Sequence, residues 1–209
     1  MVAPQLSPGC STDVTKPYPQ AVLSNSPLLY YRLDEASGPT ACDASGNNQD
    51  GQYQAGVTFG TPGGLAGDGD AAITNPGVNV GVLQSGATLP AGNAPRTIEG
   101  WVRGTTGAPV LASYGTNVGG QWFSVYLQSG GNPYFDVVNV WTGGGGVVSF
   151  GLPHGWSDGV WHSYAVTYDG STLAVYMDGA GMGSQTIGPL STASPGGLQL
   201  ATMTSQNFR

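Results

Sequence analysis

The chain has 209 residues, of which 36 are glycine and 15 proline, and only 8% are charged. Five basic side chains against twelve acidic ones leave a net charge of −7, without the clustered Lys and Arg that a phosphate backbone requires, so no nucleic-acid partner is expected. No apolar run approaches the roughly 18 residues of a membrane-crossing helix, so no membrane insertion is expected, and the length fits one large all-β domain or two small ones.

Residues 1–17 are rich in Pro, Ser and Thr without periodicity, which predicts a leader or linker ahead of a domain over 18–209. The opening MVAPQLSPGC has neither a basic nor an apolar signal region. The expectation is export with a signal already removed, or by another route such as assembly into a virion. YPQAVLSNS, from Tyr18, predicts one short helix, with Val22 and Leu23 apolar and Asn25 and Ser26 before Pro27 as its stop.

After Leu28 the pattern is that of strands. LLYYRLD is a β-rich run closed by Gly38 and Pro39, and GQYQAGVTFG carries Tyr53 and Val57/Phe59 in alternation. TIEGWVRG sets Ile98, Gly100 and Val102 against Glu99, Trp101 and Arg103. QWFSVYLQ puts Phe123, Val125 and Leu127 on one face and Trp122, Ser124 and Tyr126 on the other. PYFDVVNVW and GVVSFGL follow, separated by the WTGGGG turn. Trp161 to Tyr168 and Thr172 to Met177 predict two more strands, with Asp169-Gly170 as a tight type I′ turn between them and Asp178-Gly179 as the next turn. Five of the ten aspartates (Asp50, Asp68, Asp158, Asp169, Asp178) precede glycine, so turn formation is the default role for Asp here. A dozen or so period-two segments separated by Gly, Asn and Asp predict two packed antiparallel sheets, a β-sandwich or jelly roll.

Cys10 and Cys42 allow two readings. They are two buried thiols, or one disulfide closing a loop of about 30 residues, worth roughly 3–4 kcal/mol in the chain-entropy model and implying an oxidising compartment.

Four segments in order carry a resemblance: YPQAVLSNSPLLYYRLDEASG, DASGNNQDGQY, RTIEGWVR and WSDGVWHSYAVTYDGSTLAVYMDG. Together, over about Tyr18 to Leu200, they resemble the laminin-G-like jelly-roll domains of the concanavalin-A-like lectin/glucanase superfamily. The resemblance implies an all-β, two-sheet antiparallel sandwich. It does not fix a function, because that fold carries lectins, adhesion modules and hydrolases alike. Such domains close with a segment resembling F-x-G-x-I-D-E-V-A-V-Y, whereas this chain ends at SQNFR. The expectation is therefore a sandwich without its last strand.

The related glucanases carry their carboxylates as E-x-D-x-E on one strand. This sequence has only Glu35 and Glu99, in unrelated segments, and the adjacent Asp34 and Glu35 would point to opposite strand faces. No G-x-S-x-G or Cys–His signature accompanies His154 and His162. No enzyme is expected. His162 falls on the strand face of Tyr164, Val166 and Tyr168 and reads as a scaffold histidine; zinc would need more nitrogen or sulfur ligands than His154 and two distant cysteines supply.

Calcium is the one cofactor expected. DASGNNQDG offers Asp43, Asn47 and Asp50 as oxygen ligands within eight positions, and the resemblance implies calcium in this loop for many relatives. The competing reading is a turn held by Asx hydrogen bonds. Trp122, Tyr126 and Trp141 are the candidate ligand-binding residues, with Trp156 a further exposed-ring candidate, since planar rings can stack on sugars. The competing reading places such rings in the core, where Trp101 and Trp161 are expected. The function expected is non-enzymatic recognition of carbohydrate or another cell-surface ligand, within a secreted, extracellular or phage virion protein. A structural module making homo-oligomer or virion-protein contacts is the alternative, and a glycoside hydrolase stands third.

Overall fold

The computed structural model describes residues 10, 14–67, 69–75, 81–84, 86–116, 121–130, 136–142, 146–194 and 197–202. Helix α1 is Pro17–Ser24. The first strands are β1 Thr40–Ala41, β2 Gly51–Tyr53, β3 Thr58–Pro62, β4 Ala71–Thr74 and β5 Val82–Gln84. Longer ones follow: β6 Arg96–Arg103, β7 Val110–Gly115, β8 Trp122–Gln128, β9 Val137–Trp141 and β10 Val147–Gly151. The last are β11 Trp161–Tyr168, β12 Thr172–Met177, β13 Ala180–Thr186 and β14 Leu198–Thr202.

The strands form an eight-stranded sheet in the order β1-β2-β5-β14-β7-β8-β9-β10, a four-stranded sheet β13-β12-β11-β6 and a β3-β4 ribbon. Every pairing is antiparallel. The two larger sheets share one core, as the sequence pattern predicts. Phe123, Val125 and Leu127 of β8 meet Val166 and Tyr168 of β11 and Leu173 and Val175 of β12. Each such side chain contributes about 1.5–3 kcal/mol when fully removed from water. A smaller cluster gathers Tyr53, Val82 and Ala41, with the Tyr53 and Phe59 rings edge to face at 4.8 Å.

Arg96 joins the two sheets. It starts β6, is only 6% exposed and donates to Tyr114 OH of β7 at 2.7 Å and to Thr192 Oγ1 at 2.9 Å. Its remaining donors reach the carbonyls of Gly92 and Ala94, and its guanidinium lies 5.0 Å from the Phe123 ring centroid. A planar cation with five donors can be held by carbonyls and ring faces without a carboxylate.

Three local expectations are corrected. LLYYRLD is not a strand: Tyr31 makes one isolated bridge to Asp43, and Leu33 takes a left-handed φ of 60°, which breaks the pleat. Asp169-Gly170 is not a two-residue turn. Tyr168 pairs with Leu173 across a four-residue loop in which Asp169 Oδ1 accepts from the Ser171 and Thr172 backbone N–H groups. Asp178-Gly179 does form the tight turn, with φ of 50° and 76° between the paired Met177 and Ala180. Trp101 and Trp161 lie on the outer face of the four-stranded sheet, not in the core. A third layer covers that face: Tyr18 of α1 accepts from Trp101 Nε1 at 2.9 Å, and the Gly64 backbone lies against the Trp161 ring. The expected first residues of PYFDVVNVW and the closing SQNFR lie outside the described residues.

Cys10 and Cys42 form a disulfide with a Cα–Cα distance of 5.7 Å, so the second of the two cysteine readings holds. It pins the N-terminal segment beside β1. Lys16 adds a second tie, 2.7 Å from Asp70, and Asp70 also pairs with Arg32.

Candidate functional site

Strand β8 has two faces. Phe123, Val125 and Leu127 point into the core, which sends Trp122, Ser124 and Tyr126 to the opposite face of the eight-stranded sheet. Register extends that face sideways. Gln52 pairs with Leu83, Leu83 with Gln199, Gln199 with Ser113, Ser113 with Ser124, and Ser124 with Trp141. This single row crosses six strands, a span of roughly 24 Å at about 4.8 Å per step.

A groove of about 490 Å³ lies over one part of the row. Asp50, Gln52 and Gln54 form one end, Leu83, Ser113, Leu198 and Gln199 contribute the middle, and Trp122 closes the other end. The side-chain amides of Gln52, Gln54 and Gln199 make no hydrogen bond among the described residues. Gln84 is committed elsewhere, donating to Gln49 Oε1 and accepting from the Ala87 N–H. The Trp122 Nε1–H, and the hydroxyl of Ser124 two positions on, are buried with no hydrogen-bond partner among the described residues. Buried polar atoms of this kind are uncommon in native proteins and call for an explanation such as a bound water or ion. Gly115 permits the close approach here. Opposite Trp122, with φ of 103°, it has no room for a Cβ, which would sit 2.1 Å from the Gln121 carbonyl oxygen.

The three aromatic candidates share one sheet face but not one pocket. Trp122 lines the groove. Trp141 stands on the next strand, diagonal to Trp122 and directly across from Ser124. Tyr126 is 8% exposed, paired with Val110 and Asn139, and its phenol pKa is raised by burial. Trp156 is 1% exposed and belongs to the core, which removes it from any binding surface. Its backbone N–H and that of Ser157 bind the buried Asp136 carboxylate, 2.9 Å each.

The calcium candidates are engaged with protein groups. Asp43 is 1% exposed, and its two oxygens accept from the backbone N–H groups of Tyr30, Ser45 and Gln49 and from the Ser45 hydroxyl. Asn47 turns its amide nitrogen to the carbonyls of Pro27 and Leu28. Asp50 Oδ1 accepts from the Asp43 N–H at 2.8 Å. A cation needs oxygen lone pairs converging on one point, whereas the Asp43 oxygens and Asp50 Oδ1 accept from protein donors. No group of three or more His, Cys, Asp or Glu side chains gathers around a common point among the described residues. Asp50 instead links this loop to the groove it lines.

The two glutamates occupy different parts of the fold. Glu35 accepts from the Cys42 N–H at 2.7 Å and from the Tyr53 hydroxyl, while Glu99 is exposed on the outer face of the other sheet. His162 is buried at the end of the four-stranded sheet between Asp158 and Asp178. Sequence reasoning missed Gln52, Leu83, Ser113 and Gln199. Each alternates out of a short strand, but only the strand order β2-β5-β14-β7 makes them neighbours.

A family model described as the Concanavalin A-like lectin/glucanases superfamily (Laminin_G_3) matches residues 66–206. No curated protein matches the chain in sequence. Among solved structures, domain 4 of AbnA, a GH43 extracellular arabinanase from Geobacillus stearothermophilus in complex with arabinotriose, is 18% identical with a TM-score of 0.50, covering 78% of each chain. A heptameric SAP-like pentraxin from Limulus polyphemus is 17% identical with a TM-score of 0.44, covering 61% of this chain and 59% of the pentraxin. Domains LG4-5 of the mouse laminin alpha1 chain are 18% identical with a TM-score of 0.41, over 61% of this chain and 36% of that one. The chain thus covers less than two thirds of the pentraxin and of the laminin fragment.

Proposed function

The chain belongs to the Laminin_G_3 family of the Concanavalin A-like lectin/glucanases superfamily, and on that premise we propose that it is a recognition module that holds carbohydrate in the groove between Gln52 and Trp122 without cleaving it. One observation carries this reading. The groove offers amides of Gln52, Gln54 and Gln199, without a hydrogen-bond partner among the described residues, beside the Trp122 ring. Amides donate and accept at once, as sugar hydroxyls do, and an indole ring supplies an apolar wall for a sugar's C–H face. Among the described residues Asp50 is the only carboxylate lining the groove. Glycosidic hydrolysis ordinarily uses two, about 5–5.5 Å apart in retaining enzymes and roughly 6.5–9.5 Å in inverting ones.

A secreted or phage virion protein is the proposed setting, and the Cys10–Cys42 bridge supports an oxidising compartment. Calcium is left out of the proposed mechanism because the Asp43 carboxylate already serves four protein donors. A structural role is favoured by one feature: among the described residues β6 pairs only with β11, so its other edge is open to a neighbouring strand. Light scattering separates the two, since the structural reading requires a stable oligomer.

The test is a glycan array followed by calorimetric titration, with arabinotriose among the probes. Trp122→Ala should weaken binding about tenfold or more at an unchanged thermal midpoint. Absence of binding to any glycan removes the proposal.

A further inference from the structure

We infer that the groove selects an uncharged, extended glycan lying across the strands, and rejects sulfated or uronic-acid chains. The inference rests on the carbohydrate reading above and adds the ligand's charge and direction.

Charge is decided by where the cations are. The sequence has five basic residues, and of the four among the described residues none lines the groove. Arg96 is buried between the sheets. Arg32 is paired with Asp34 and Asp70, and Lys16 with Asp70. Arg103 lies over the Trp161 ring, on the outer face of the other sheet, 5.1 Å from its centroid. Arg209 lies outside the described residues. Among the described residues the groove's one charged side chain is Asp50, and the whole chain carries −7. A sulfate or carboxylate in this groove would meet a like charge and, among the described residues, no counter-charge, which costs binding free energy. Recognition of such anions normally relies on Arg or Lys.

Direction is decided by the row. Gln52, Leu83, Gln199 and Ser113 succeed one another across β2, β5, β14 and β7, and Trp122 stands one strand further on β8. From β2 to β8 is four steps, roughly 19 Å at about 4.8 Å each. Gln52 and Gln199 sit on either side of Leu83 in that row, so hydrogen-bonding groups are spaced two strands apart with an apolar contact between. That spacing suits a chain of rings running across the strands better than one compact sugar.

The experiment is titration calorimetry on the whole chain with two sets of probes. Linear arabinan, mixed-linkage β-glucan and dextran are the neutral set; alginate and heparin are the anionic set. The inference expects binding only within the neutral set, with a Kd that changes less than about twofold between roughly 0.05 and 0.5 M NaCl, because no ion pair is screened. It also expects Gln52→Ala and Gln199→Ala each to weaken that binding about threefold or more at an unchanged thermal midpoint. Binding of alginate or heparin that fades with salt would overturn this inference and leave the carbohydrate reading standing. Neutral binding indifferent to both glutamine variants would overturn the proposed direction across the row. No binding by either set would remove the carbohydrate reading itself.

Discussion

His162 Nδ1 lies 2.7 Å from Oδ2 of Asp178, and the other ring nitrogen lies 3.0 Å from Oδ1 of Asp158. Ionised carboxylates only accept, so this geometry favours the doubly protonated ring, an imidazolium. Burial lowers its pKa, but the hydrogen bonds to Asp178 and Asp158 outweigh that, and the net shift is upward. A raised folded-state pKa gives stability that is complete below the unfolded value of about 6.5 and lost as pH rises through the folded value. The expected outcome is a thermal midpoint that declines on the alkaline side of about pH 6.5, and a slope that flattens in His162→Asn. The variant should cost about 1–2 kcal/mol near pH 6, the lower end reflecting the solvent exposure of both aspartates. An NMR titration placing the ring at or below its ordinary value would contradict the imidazolium assignment.

The Cys10–Cys42 bridge spans 32 positions. In the chain-entropy model a loop of that size is worth about 3–4 kcal/mol. Replacing both cysteines with serine should lower unfolding free energy by about that amount, measured by denaturant titration. Proteolysis should open first at the N-terminal segment, which would keep the Lys16–Asp70 and Tyr18–Trp101 ties. A variant as stable as the parent would mean that those ties alone position the segment.

Asp43 organises its loop through four hydrogen bonds, three of them from backbone N–H groups. Asp43→Asn replaces one accepting oxygen with a donor and should cost about 2–3 kcal/mol. Because the carboxylate is already engaged, the wild-type thermal midpoint should be the same in calcium and in chelator. A rise of several degrees in calcium would show that the loop can trade these donors for a cation.

Gly115 is the tightest point beside the groove. Its φ of 103° and the Gln121 carbonyl both exclude a side chain. Gly115→Ala should cost about 2–4 kcal/mol and lower the thermal midpoint by several degrees. It should also weaken glycan binding, since Trp122 pairs with this residue. An unchanged midpoint would mean that the loop after Gly115 relaxes without strain.

Much of this architecture is visible in local pattern. The alternation of WFSVYLQ placed Trp122, Ser124 and Tyr126 on the face away from Phe123, and the register agrees. WHSYAVTY and TLAVYM read as strands with the bounds that they have. Periodicity failed where a backbone choice or a further layer intervened. Leu33 leaves the extended region, which no apolar pattern signals. Trp101 and Trp161 were expected inside because large rings need cover, but the cover comes from Tyr18 and the Gly64 backbone, on the far side of the sheet. The groove was half legible. Trp122 and Asp50 were both singled out, for different sites, and only the insertion of β5 and β14 between β2 and β7 brings their strands around one cavity.

The manner in which Arg96 is held bears on the order in which the molecule comes apart in acid. Asp136 has its pKa lowered: burial opposes this, but bonds from Ser157, Trp156 and Gly130 prevail. Its contribution is therefore present above about pH 4 and lost as pH falls through its folded-state value. Arg96 makes its polar contacts with carbonyls, a phenol and a hydroxyl, none of which is protonated in that range. Acid is therefore expected to loosen the Trp156 end of the sandwich, where Asp136 binds the Trp156 and Ser157 N–H groups, before the end held by Arg96.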